Sequence, residues 1–192
     1  MVLGGILLLM VVTFNGNLTG SAALQRFHSN VQTNLTTVTG IVENDFRLLG
    51  YEQISGNDPY RITFADTSKI VFKEDYDANG TVDSISYYLG TTTPPGVVNK
   101  SARILYRKVN TGAAQEINAG VTRFRMWYYD AKDSVTTIPA NIRTIKIAVN
   151  VESPQPILRN RTKAMLSSSS NDSTYSGAYW ERTITPKNLN LR

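Results

Sequence analysis

Residues 1–12 carry no polar side chain, and the first charge in the chain is Arg26. Beyond this run Leu24, Phe27, Val31, Leu35, Val38, Val42, Phe46 and Leu49 recur at spacings of three and four. That spacing puts them on one face of a helix, with Gln, Ser, Asn, Thr and Glu on the other. No proline interrupts the pattern before Pro59, and Gly50 follows Leu48 and Leu49 where a helix end is expected. One helix is therefore predicted over residues 1 to about 49. Its first part (1–23) is an apolar stem and its second (24–50) is amphipathic. β-Branched residues and Asn give it weak intrinsic propensity, so it needs packing partners along its length.

After Pro59 the period changes to two, the mark of antiparallel strands. Strands are predicted at 60–65, 69–73, 84–89, 103–108, 122–129, 141–151 and 179–185. In the fifth, Phe124, Met126 and Tyr128 share one face and Arg123, Arg125 and Trp127 the other. Connections read as short except 90–100 and 153–176, which carry the prolines and the serine tract. The fold class is α+β: a long N-terminal helix packed on an antiparallel sheet formed by residues 51–192.

Composition narrows the function. With 192 residues, 41% of them hydrophobic, the chain can bury a core of ordinary size. The absence of cysteine excludes disulfides, thiolate metal sites and a cysteine nucleophile. A single histidine, His28, argues against a polyhistidine zinc site and most triads; beside Phe27, it reads as a solvated or interface residue. No phosphate-cradling glycine loop or nucleophile elbow is present. These patterns argue against an enzyme. The net charge is +5 without any basic run. The Arg123, Arg125 and Trp127 face, with Tyr106, Arg107 and Lys108 near it in pattern, has two readings. It could stack on nucleic acid, or lie beneath a loop or partner subunit.

One segment has metal-binding form. Asp75, Asp77, Asn79, Thr81 and Asp83, with Gly80 among them, follow the spacing of a calcium loop. Alternate side-chain oxygens, a carbonyl at Thr81 and the carboxylate of Asp83 suit a hard cation. The twelfth position is Ser86 rather than a bidentate glutamate. The competing reading is a plain hairpin turned on Asn79-Gly80, a strong type I′ signal.

Twelve to fourteen apolar residues fall short of the ~20 that a spanning helix needs. The run could be a secretory signal cut near Ser21-Ala22-Ala23, a buried core helix, or part of a longer helix. An apolar helix start, an amphipathic half and then a β domain resemble the type IV pilin-like superfamily. The text Val42-Glu43-Asn44-Asp45-Phe46-Arg47-Leu48-Leu49-Gly50-Tyr51 is similar to the helix end of its large minor pilins and minor pseudopilins, the W-type tip pilins and J-type type II secretion pseudopilins.

The resemblance implies a leader and first mature residues preceding Met1. It also implies a membrane and filament stem containing Leu3, Ile6, Leu7, Leu8, Leu9, Met10, Val11, Val12 and Phe14. It places a periplasmic β domain on a single-pass inner-membrane helix, then in a pilus or pseudopilus. Its partners would be other pilin or pseudopilin subunits met through the helix, and calcium occurs in loops of some relatives. The alternative is a Sec-exported, adhesin-like binding module starting after Ala23.

Overall fold

The computed structural model describes residues 2–51, 61–156 and 175–189; the side chains of residues 2–24 lie outside the description. The chain runs α1 (Val2–Leu48), β1 (Ile62–Ala65), β2 (Lys69–Glu74), β3 (Asp83–Leu89), β4 (Arg103–Val109), β5 (Gln115–Tyr129), β6 (Thr144–Glu152) and β7 (Gly177–Ile184). Short 3-10 turns lie at Pro139–Asn141 and Lys187–Leu189. The strands form one antiparallel meander in sequence order, β1 to β7.

The helical stripe is the face that packs. Val31, Leu35, Val38, Val42, Phe46 and Leu49 are buried, Phe27 is half-buried, and Leu24 lies outside the described side chains. They meet Ile70 and Phe72 of β2, Ile85 and Tyr87 of β3, Leu105 of β4, Phe124 and Met126 of β5, and alternate residues of β6 from Ile145 to Val151. The Phe46 ring sits 5.4 Å from Phe72 and 5.6 Å from Tyr87. Rings at such separations add attraction beyond simple burial. Leu48 ends the helix because Gly50 turns at φ +78°, and its amide donates to the Lys73 carbonyl at 2.9 Å. A Cβ at Gly50 would come within 2.5 Å of the Arg61 side chain, so position 50 requires glycine twice over.

Three sequence expectations are corrected. β5 starts at Gln115, not 122, because β4 supplies pairing to a polar stretch that lacks alternation of its own. Residues 141–143 are not strand: Pro139 initiates a 3-10 turn and β6 begins at Thr144. The connection 130–143 is therefore another long one. It is folded back by a Tyr129–Val135 bridge and by the Asp130 carboxylate, which accepts the amides of Lys132 and Ser134.

Sheet curvature brings the β1–β2 turn against β5. The Met126 amide donates to the Thr67 carbonyl, and the Tyr128 hydroxyl donates to the Asp66 carbonyl, at 2.8 and 2.7 Å. Burial raises the Tyr128 phenol above its ordinary pKa, and the Asp66 charge adds to the rise.

Candidate functional site

Alternation places a charged residue on the inward face of two strands. In β2 the buried positions are Ile70, Phe72 and Glu74; in β4 Arg107 follows Leu105 on the same face. The helix contributes Asp45, one residue before Phe46 on the packed face. Asp45 Oδ2 accepts from Arg107 Nε and from the Tyr87 hydroxyl, both at 2.6 Å. Each side chain of the ion pair is only 6% exposed. The guanidinium also lies 4.4 Å from the centre of the Tyr76 ring. Burial lowers the Arg107 pKa, but the Asp45 hydrogen bond and charge outweigh it and hold the pKa above its usual value. Burial and the same carboxylate push the Tyr87 phenol up.

Glu74 completes this group without joining it. It is fully buried, and neither carboxylate oxygen has a hydrogen-bond partner among the described residues. Burial pushes its carboxyl up to about 8, the negative charge of Asp45 adds to the rise, Arg107 pulls the other way, and Asp83 adds a little more. A protonated Glu74 is the form that such a site tolerates. Beside the group a cleft of about 510 Å³ opens between α1 and the start of β5, lined by Asn44, Tyr76, Gln115 and Ile117 among others. The arrangement clamps helix to sheet, and among its members there is no nucleophile paired with a base.

The acidic segment forms the loop between β2 and β3. Asp75, Asp77 and Asp83 bring carboxylate oxygens within 4.8 Å of one another. Asp75 accepts the amides of Asn79 and Gly80 at 3.1 and 2.8 Å, Asp83 accepts the Tyr76 amide, and the Asn79 side chain accepts the Thr81 amide. Each carboxylate oxygen keeps lone-pair capacity beyond these bonds, so the residues fit a hard cation at Asp75, Asp77 and Asp83. Asn79 uses one lone pair of its side-chain oxygen on the Thr81 amide, and Ser86 lies inside β3 opposite Val71. The two-residue type I′ turn is not formed: the positive φ angles fall at Ala78 and Gly80 rather than at Asn79 and Gly80.

The Arg123, Arg125 and Trp127 face exists, but with different neighbours. Arg125 and Lys146 lie 5.1 and 5.5 Å from the Trp127 ring centre, and Lys146 pairs with Glu181 at 2.8 Å. Tyr106 stacks on Tyr88, 5.3 Å away, and Arg107 is on the opposite face of the sheet, buried against Asp45. The predicted grouping with Arg107 is therefore incorrect: its position in β4 has inward parity. His28 is exposed, and its Nδ1 lies 2.8 Å from Ser176 Oγ, which ties the helix to the approach to β7.

The stem residues Leu3, Ile6, Leu7, Leu8, Leu9, Met10, Val11, Val12 and Phe14 lie outside the described side chains. Among the described residues no helix is long and apolar enough to cross a membrane. Composition and spacing did not single out Asp45, Glu74 and Tyr87, and grouped Arg107 with the wrong face. Strand parity was the available signal for Glu74 and Arg107, since each sits where its strand otherwise buries apolar side chains.

A one-faced N-terminal helix laid on an antiparallel meander is a pilin-like α+β fold. The solved structure of the type IV-like pilin TTHA1219 from Thermus thermophilus is similar to this chain. The TM-score is 0.51 at 13% identity, over 82% of this chain and 97% of that one. No protein-family model matches the chain, and no curated protein matches it.

Proposed function

We propose that this protein is a structural subunit of a type IV pilus-like filament or type II secretion pseudopilus, in a minor, tip or priming role. The observation that carries the reading is the pilin-like fold, with a 47-residue helix whose far half is the packed face of the domain. The apolar run of residues 1–12 supports a stem held in the inner membrane before assembly, with the β domain in the periplasm. In a filament, neighbouring helices bury that stem through a contact that repeats without closing. The convergence of Asp75, Asp77 and Asp83 supports calcium as a stiffener of the domain.

Fractionation of native cells tests the reading. The subunit is expected in the inner membrane and in sheared filaments, with residues 1–23 present in its N-terminal peptides. A soluble secreted form beginning at Leu24 would overturn it and make the protein an exported β-rich binding module.

A further inference from the structure

The two edges of the sheet are unlike. β1 spans only Ile62–Ala65, its register slips between Ile62 and Phe64, and the 3-10 turn at Pro139–Asn141 packs against it. Short, bulged and covered edges resist further pairing. β7 is longer, spans Gly177–Ile184, and pairs with β6 in unbroken register.

The phase of that ladder follows from its upper end. The Ser153 amide donates to the Ser176 carbonyl, so Ser153 and Ser176 form a hydrogen-bonded pair, and such pairs recur at every second residue. Ala178, Trp180, Arg182 and Ile184 then turn their backbone groups to β6. Gly177, Tyr179, Glu181 and Thr183 turn theirs outward. No described strand lies beyond them, and all four residues are exposed.

A cationic cleft borders the lower half of this edge. Arg47, Arg182 and Lys187, with Thr183 and Thr185, line about 390 Å³. Glu43 is the single acidic partner among the described residues: its Oε1 bonds Arg47 and stands 3.4 Å from Arg182. Lys187 has no partner among the described residues. Positive charge is left in excess at the place where alternate side chains of an added strand would point. Neighbouring strands lie ~4.8 Å apart, within reach of such side chains.

We propose that β7 is a docking edge for an extended protein segment carrying carboxylates at alternate positions. The segment adds an eighth strand, with backbone bonds to Tyr179, Glu181 and Thr183 supplying affinity and Arg47, Arg182 and Lys187 selecting acidic sequence. This inference does not need the filament reading, because the edge is tested by a peptide in solution.

The test uses the full chain in detergent and a dodecapeptide of alternating glutamate and valine. Residue-resolved hydrogen exchange should slow at least tenfold at the amides of Tyr179, Glu181 and Thr183 at saturating peptide, with β1 unchanged. Thr183→Pro removes an outward amide and no bond to β6, as edge strands tolerate; it should abolish the protection while β6 stays protected. Arg182→Glu combined with Lys187→Glu should weaken binding at least tenfold. Equal protection by a lysine–valine dodecapeptide or by a dT12 oligonucleotide would overturn the proposal, as would undiminished binding to the proline variant. Any of these outcomes leaves the subunit reading standing.

Discussion

Replacing Asp45 by alanine strands a buried guanidinium and a phenol that both depend on one carboxylate oxygen. Removing one partner of a buried pair costs about 3–5 kcal/mol, because the remaining charge stays out of water. Thermal melting of the Asp45→Ala variant should therefore fall by on the order of 10 °C. An unchanged midpoint would mean that the Asp45 clamp does not hold the helix on the sheet. Glu74 makes a second prediction, on pH. Its carboxyl stands at about 8 in the folded chain against 4.5 when exposed. Its contribution to stability is therefore full below 4.5 and is lost as pH rises towards 8, at about 1.4 kcal/mol per pH unit. Melting from pH 4 to 9 should show that decline, and Glu74→Gln should flatten it. A wild-type slope that survives the substitution would assign the effect elsewhere.

The acidic loop belongs to the scale of elements. Asp75 holds the loop together through Asn79 and Gly80, so Asp75→Ala alters the turn whether or not a cation binds. Asp77 makes no described bond, which makes Asp77→Ala the cleaner probe. Millimolar calcium should raise the melting temperature of the wild type, less that of Asp77→Ala, and not that of the Asp75→Ala, Asp77→Ala double variant. No calcium response in the wild type removes the site. The spacing of oxygens was legible because ligands at alternate positions are a local pattern. The loop's shape was not, since its turn depends on Asp75 reaching forward and Asp83 reaching back to amides several residues away. β5 shows the same limit: Phe124, Met126 and Tyr128 declare a strand by alternation, whereas Gln115 to Gly120 become strand only because β4 lies beside them.

For the whole molecule, the proposed stem and the stripe that packs on the sheet share one helix, and a single substitution should separate them. A charge at Leu9, such as Leu9→Asp, lies far along the chain from the stripe that packs on the sheet. Circular dichroism and the melting temperature of the β domain should stay at wild-type values, while membrane retention and filament incorporation are lost. Incorporation of the charged variant at wild-type levels would sink the stem assignment. The amphipathic half of the helix, most of the strands and the packed stripe are legible from periodicity, because 3.6 and 2 residues per repeat decide which side chains can share a face. Which charges meet is another matter. Asp45 and Arg107 are 62 residues apart, and no local pattern encodes their approach. Only the folded chain shows Glu74 as a buried acid without a hydrogen-bond partner among the described residues, pairs Arg107 with Asp45, and leaves no described strand beyond β7. Each depends on how the meander curls around the helix, and curvature is a property of all the strands together.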